Sequence, residues 1–391
     1  MNNKRPFIEK FFTPIVLFTL FLMFAAGNIQ AQDTVKAVKD VTADSLKTET
    51  KAEKDEDISA VILHHIADSH EWHFWGEGKD KVAIPLPVIL YTKSGFVTFL
   101  SSKHEEDEKG AEIFTEKGES LVNYEGKYYY PAAAKYENGT YVKVDENQVP
   151  VNEKPLDLSI TKNVLALFIS VALLMIIFLG IARSYKKNVG KAPKGMQSAL
   201  EPFILFVRDD IAIPQLGHKY AKFMPYLLTV FFFIWINNLL GLVPIFPGGA
   251  NLTGNIALTA MLALTTFIIT TVNGNKSYWG HIFNTPGVPW WLKFPVPLMP
   301  VVEFIGIFTK PIALMIRLFA NITAGHILVL SLIALIVILK SVYASAFAIP
   351  FALFISAIEL LVGFLQAFIF TILSALFIGM AIEEHHADEH H

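Results

Sequence analysis

Lys310-Pro311-Ile-Ala-Leu-Met-Ile-Arg317-Leu-Phe-Ala-Asn321-Ile-Thr-Ala-Gly325-His326 begins an apolar stretch that runs on to Leu339. It is long enough to enter a bilayer, whose hydrocarbon core takes roughly 20 helical residues. Arg317 stands inside it. A charge at that depth costs roughly 3 kcal/mol on insertion scales and about 10 or more in simulations of isolated helices. A lysine can shed its proton there; a guanidinium, with a pKa above about 12, cannot. A permanent cation with apolar sequence on both sides reads first as part of an ion pathway. The alternative is an arginine near a helix end whose head snorkels to water.

The rest of the chain has the composition of a membrane protein. Of its 391 residues 53% are hydrophobic and only 17% charged, against about a quarter charged in soluble domains. There is no cysteine, which excludes disulfides, thiolate catalysis and cysteine metal sites. Residues 1–31 read as a signal peptide: Lys4, Arg5 and Lys10, then apolar Phe11 to Ala26, then Ile29-Gln30-Ala31 with a small residue at the end. An uncleaved anchor is the competing reading. Residues 32–56, rich in Lys, Asp, Glu, Thr and Ala, read as a flexible leader. Residues 57–160 read as a small mixed α/β domain outside the cytoplasm. Val82 to Tyr91 and Gly95 to Leu100 are strand-like, and Asn138-Gly139 signals a hairpin turn.

Residues 161–391 read as the membrane domain. Asn163 to Ala182 is a first span, followed by Arg183, Lys186, Lys187, Lys191 and Lys194 with no acid among them; the positive-inside rule makes that loop cytoplasmic. Met196 to Ile213, with Glu201, Arg208, Asp209 and Asp210, is expected at the cytoplasmic surface. Phe223 to Val243 and Ile256 to Val272 form a pair of spans joined by the uncharged Pro244-Ile-Phe-Pro-Gly-Gly loop. Residues 273–297, with Lys276, Lys293 and Trp290-Trp291, return to the cytoplasmic interface. Two long segments, roughly 298–339 and 347–383, close the chain. The first would be about 63 Å long as one helix, twice the hydrocarbon thickness, so it must tilt, break or protrude, and Pro311 is a possible break. Five crossings leave the C-terminus in the cytoplasm. The expected architecture is an all-α polytopic membrane protein with a small mixed α/β extracytoplasmic domain before it.

Polar residues inside the spans are ordered. Glu303, Lys310 and Arg317 are seven apart, and Asn321 is four beyond Arg317; a seven-residue step drifts only about 20° on a helix, so they share a face. His326 is nine beyond Arg317, about 180° round. Glu359 and Gln366 are again seven apart on the last segment. A proton path needs groups that take and release protons, as His and Glu do, and a barrier against leak. A fixed cation is such a barrier, since it repels protons and favours the ionised form of any carboxylate that approaches. His326 and Glu359 therefore read as relay groups and Arg317 as a gate. The alternatives stay open: a self-neutralising structural pair for His326 and Glu359, interhelical hydrogen bonds for Asn321 and Gln366, and a water interface for Glu303 and Lys310.

Lys310 to His326 resembles the signature of subunit a of F-type ATP synthases. Phe364-Leu-Gln366-Ala-Phe-Ile-Phe370, Ile382-Glu383-Glu384-His385 and Asn238-Leu-Leu-Gly-Leu-Val-Pro244 extend the resemblance over about 160–386. It implies that Arg317 faces carboxylates on a rotating c-subunit ring, served by two offset half-channels. It also implies that the last two helices lie tilted along the ring, that b subunits and the remaining synthase are partners, and that Asn238 lines the outer route with Gln366. No cofactor and no nucleic acid is implied, and the lipid of a bacterial inner membrane surrounds the spans. Some bacterial members carry Glu and His where this chain has His326 and Glu359; here the pair is exchanged, as in the mitochondrial form. Those members also place an aspartate where Gly241 stands, and their N-terminus is shorter.

Other signals carry less. His64-His65, His70 and His73 lie near Trp72 and Trp75, but His70-Glu71-Trp72-His73 is one residue short of H-E-x-x-H; a surface helix is the expectation over a metal site. The four C-terminal His are interleaved with acids and read as solvated. Asn138-Gly-Thr and Asn251-Leu-Thr match only a glycosylation pattern. No phosphate loop is present, so ATP is not handled by this chain. The competing function is an ion-coupled secondary transporter, which would favour broken helices in two related halves; no repeat is visible.

Overall fold

The computed structural model describes residues 68–75, 82–104, 110–136, 139–145, 150–188, 192–243, 249–283, 298–339 and 342–383. The signal-like start, the leader, His64-His65, Asn138, Lys191, the Pro244 loop, the Trp290-Trp291 segment and the C-terminal His lie outside them. The chain forms two units that meet within one helix, at Phe168 and Ile169.

The described part of the first unit is built of antiparallel strands: β1 (Glu71–Trp75), β2 (Val82–Pro85), β3 (Pro87–Thr92), β4 (Gly95–Leu100), β5 (Phe114–Glu116), β6 (Glu119–Tyr124), β7 (Lys127–Tyr129) and β8 (Leu156–Asp157). They pair as β1-β2, β4-β3-β8 and β5-β6-β7. In β3 and β4 alternate residues point inward, as a sheet with one buried face requires. Val88, Leu90, Val97 and Phe99 meet Leu121 and Tyr128 in one core. Strands β5-β6 and β6-β7 are joined by two-residue turns, Lys117-Gly118 and Glu125-Gly126. All four turn residues have positive φ, the backbone of a type I′ hairpin.

Two expectations fail in this unit. Residues 71–75 form a strand paired with β2, not a surface helix. The run Glu-Trp-His-Phe-Trp is rich in aromatics that favour a pleated sheet, and His70 is buried beside it. Around Gly139 the chain does turn, with Tyr136 N–H donating to the Thr140 carbonyl, but no strand flanks it among the described residues. The Asn152 side chain replaces the ladder, donating to the carbonyls of Tyr130 and Tyr141 and accepting from Lys143 N–H.

The first helix, α1 (Lys162–Lys187), leaves this unit directly. Thr161 Oγ1 accepts from Val164 N–H, and Asp68 Oδ1 accepts from Asn163 N–H at 3.0 Å. Two of the free donors at the helix start are thereby satisfied.

The second unit is helical. After α1 come α2 (Met196–Phe206), a π turn (Val207–Ala212), α3 (Ile213–Leu216), α4 (Tyr220–Leu242), α5 (Ile256–Val272), α6 (Lys276–Phe283), α7 (Leu298–Leu339) and α8 (Val342–Ile382). Among the described residues, four helical stretches are long and apolar enough to cross a membrane, and the pair α5 and α6, bent by 101° at residues 273–275, adds a fifth where it is counted as one span. The chain is a multi-pass helical membrane protein with a small domain ahead of its spans.

The segment 196–213, expected at the cytoplasmic surface, packs into the bundle. Phe203 and Phe206 of α2 join Phe231 and Trp235 of α4 and Phe364 of α8 in one aromatic cluster, and Val207, Ile211 and Ala212 are fully buried. Gly379 admits the α3 backbone: a Cβ there would stand 2.2 Å from the Gln215 carbonyl oxygen.

Pro311 is not a break. The 42-residue α7 runs through it, with Ile307 and Leu314 buried on either side of it. Losing one helical hydrogen bond does not end a helix whose packing continues past the proline. Helix α8 is equally unbroken through Pro350 and starts at Val342, five residues before the expected start. Its last carbonyls are capped by other segments: Asn275 Nδ2 and Lys219 Nζ both donate to the Ile382 carbonyl.

Candidate functional site

Helix α7 separates its polar residues onto two sides. Arg317 and Asn321 are exposed, on a stripe with Ile316, Ala320 and Ala324, and among the described residues Arg317 forms no ion pair. His326, on the other side, turns into the bundle. Its Nδ1 lies 3.2 Å from Oε1 of Glu359 on α8, whose side chain is only 6% exposed. The contact has ion-pair distance without hydrogen-bond alignment, and neither Glu359 oxygen accepts a hydrogen bond among the described residues. These two titratable side chains thus stand side by side in the bundle interior.

Two glycines permit this approach. A Cβ on Gly325 would stand 2.8 Å from Glu359 Oε1, so a side chain there would displace the carboxylate from its place over α7. A Cβ on Gly363, one turn along α8, would stand 3.0 Å from the Asn238 Cβ. Asn238, on α4 and 5% exposed, donates through Nδ2 to the Gly363 carbonyl at 2.9 Å. Its Oδ1 accepts from Thr253 Oγ1 at 2.5 Å. Gly241, one turn past Asn238, stands beside His326; a Cβ there would lie 3.5 Å from the imidazole Nε2.

Of the sequence-predicted residues, His326, Glu359 and Asn238 thus converge. Gln366 is buried on α8, at 4% exposure, two turns from Glu359. Arg317 and Asn321 stay on the opposite side. Lys310 places its ammonium over the Phe377 ring at 5.6 Å and lines a cleft with Thr266, Thr270 and Tyr278. Glu303 is half-buried on the same helix. Sequence reasoning missed Thr253, Gly325 and Gly363. Thr253 was visible only as the last residue of a glycosylation pattern. The glycines had one signal: each sits inside an apolar helix, where glycine is disfavoured unless something approaches closely.

A sequence model of the family described as ATP synthase A chain matches residues 164–379. The chain belongs to the ATP synthase subunit a family. ATP synthase subunit a of Chloroherpeton thalassium is 46% identical over 242 residues, covering 60% of this chain and 70% of the relative. The protein of that name from Chlorobium phaeobacteroides (strain DSM 266 / SMG 266 / 2430) is 48% identical over 240 residues, 59% and 68% of the two chains. Anaeromyxobacter sp. has an ATP synthase subunit a that is 36% identical over 350 residues, 87% of this chain and 75% of the relative. That last match leaves out too little of the chain to exclude the first unit. Residues 61–158 match a separate family, described as a domain of unknown function. The N-terminal domain thus lies ahead of the region that the subunit a model matches and carries its own sequence signature.

Proposed function

We propose that the chain is the proton-conducting stator subunit of an F-type ATP synthase, with two offset half-channels that meet the carboxylates of a c-subunit ring. The observation that carries this reading is the division of α7: a permanent cation faces out of the chain while His326 faces in, toward Glu359 of α8. An arginine on an exposed apolar stripe of a membrane helix needs a partner for its charge, and a ring carboxylate is of the right sign. Arg317 is the gate: it holds that carboxylate ionised as it passes and bars direct flow between the half-channels. His326 and Glu359 relay protons in the outer half-channel, lined by Gln366 and Asn238, and Asn321 borders the ring beside Arg317.

The chain does no bond chemistry; it couples proton flow to ring rotation and leaves ATP synthesis to the rest of the complex, which b subunits hold in register. Residues 1–31 direct export, 32–56 form a leader, 57–160 a periplasmic domain and 161–391 the inner-membrane domain, with the C-terminus in the cytoplasm.

The absence of cysteine makes a direct test clean. In the assembled synthase, Asn321→Cys should cross-link on oxidation to a cysteine placed beside the ring carboxylate, and His326→Cys should not. Equal cross-linking at both positions, or none at Asn321→Cys, contradicts the reading.

A further inference from the structure

The His326–Glu359 distance is set by two long helices, yet neither helix fixes it alone. The described residues following Gly249 reach both. Thr253, 1% exposed, donates to Asn238 Oδ1, and the Asn238 amide passes the constraint to the Gly363 carbonyl of α8, one turn from Glu359. The neighbouring Gly254 carbonyl accepts from Thr323 Oγ1 of α7 at 3.5 Å, three residues before His326. The loop is itself folded back, with Gly254 N–H donating to Asn251 Oδ1 at 2.9 Å. One short connection thus touches α4 and α7 directly and reaches α8 through the Asn238 side chain, next to the titratable pair.

We propose that Thr253 is a positioning residue for proton transfer: its hydroxyl fixes the orientation of the Asn238 amide, and through it the place of Glu359 opposite His326. An amide can present either its oxygen or its NH₂ to a neighbour. The Gly363 carbonyl can only accept, so it takes the Asn238 NH₂ and leaves the amide oxygen facing the loop, where the Thr253 hydroxyl donates to it. Without that donor the buried oxygen loses its partner, which is costly in a dry interior, and the amide swings away from Gly363 to find another. Helix α8 then loses its tie to α4 at Gly363, where the Asn238 side chain packs closely against it. Thr253 carries no mobile proton of its own near neutral pH, so its effect is exerted through Asn238. The titrating groups of this cluster are His326 on α7 and Glu359 on α8; α4 and the loop face them with Asn238, Gly241 and Thr253.

The proposal rests on the relay reading above. The test is ATP-driven proton pumping in inverted membrane vesicles carrying the complete synthase, normalised to assembled complex and followed over pH. Thr253→Val keeps shape and removes the donor; Thr253→Ser keeps the donor. Losing one buried, well-aligned hydrogen bond corresponds to about a tenfold effect. Thr253→Val should therefore pump about tenfold more slowly per assembled complex, with its pH profile displaced, and Thr253→Ser should pump within about twofold of the unsubstituted protein. Normal pumping by Thr253→Val with an unmoved pH profile overturns the proposal. So does a loss fully explained by less assembled complex, which would make the bond merely structural. His326→Ala and Glu359→Ala serve as references. If they pump normally, the relay reading itself has failed. If they fail while Thr253→Val is normal, only the positioning role is lost.

Discussion

His326 and Glu359 stand on different helices, 3.2 Å apart, and the proposed relay makes them one pair of proton carriers. Replacing either with alanine should slow pumping by roughly a hundredfold, the scale of removing a positioned proton carrier. The exchange His326→Glu with Glu359→His restores one acid and one base at the same separation, and should recover part of the rate in inverted vesicles. An exchange no better than the single variants would mean that the two positions are not equivalent. The titratable pair was legible from the sequence because Glu and His are conspicuous in apolar runs. That they touch was not, because spacing on one helix says nothing of its angle to another. Gly325 and Gly363 decide that contact, and a glycine declares only that space is needed, not for what. Thr253 lies in a loop, where no periodicity applies.

Among the elements, the junction between the small domain and α1 has a pH dependence that follows from its geometry. His70 is buried, which by itself disfavours its charge. The hydrogen bond and negative charge of Asp157 at 2.8 Å, with the Gly126 carbonyl, nonetheless hold its pKa above the ordinary 6.5. Burial would raise the Asp157 carboxyl, but His70 and Ser159 keep it below the ordinary 3.8. Burial raises Asp68, the carboxylate at the start of α1, despite the Asn163 N–H. With His70 and Asp68 both raised, each contributes stability that falls as pH rises, while Lys127 and Lys154, lowered by burial, the latter to about 8, contribute in the opposite sense at higher pH. The His70 contribution is complete below about 6.5 and is lost as pH climbs through the higher folded value; the Asp157 contribution is lost only as pH falls through a value below 3.8. Protection factors of β3 and β4 amides in the intact protein, which remove the base-catalysed rise of intrinsic exchange, should fall from pH 5.5 to pH 8, and His70→Gln should flatten that fall. An unchanged slope in His70→Gln would remove His70 from the explanation.

The same junction shows how far secondary structure could be read. β3 and β4 were legible from alternation alone. The hairpins at Lys117-Gly118 and Glu125-Gly126 were not, because Lys and Glu are uncommon at positive φ. A strand replaced the expected helix at Glu71–Trp75 because its pairing with β2 is a tertiary fact.

Across the whole molecule, the spans were legible from hydropathy, which measures the property that bilayer insertion selects. The course of the long helices was not: Pro311 could have broken α7, and only packing on both sides of it decides otherwise. Sidedness is an expectation from charge: Arg183, Lys186 and Lys187 at the end of α1, with Lys191 and Lys194 beyond it, predict a cytoplasmic loop. Protease added outside spheroplasts should cut the domain at residues 57–160 and spare the 183–194 loop; the reverse pattern would invert the topology.

The exposed guanidinium on α7 has a consequence that no structural role would share. A cation whose only task is to fasten helices could be replaced by lysine with modest loss, whereas a gate must stay charged when desolvated, and lysine does not. Proton-driven ATP synthesis, measured in vesicles beside passive proton leak and the amount of assembled complex, separates the two. For Arg317→Ala we predict assembled complex, synthesis at background and an open leak, and for Arg317→Lys synthesis at or near background. Synthesis at the unsubstituted rate in Arg317→Ala membranes would contradict a gate at this position.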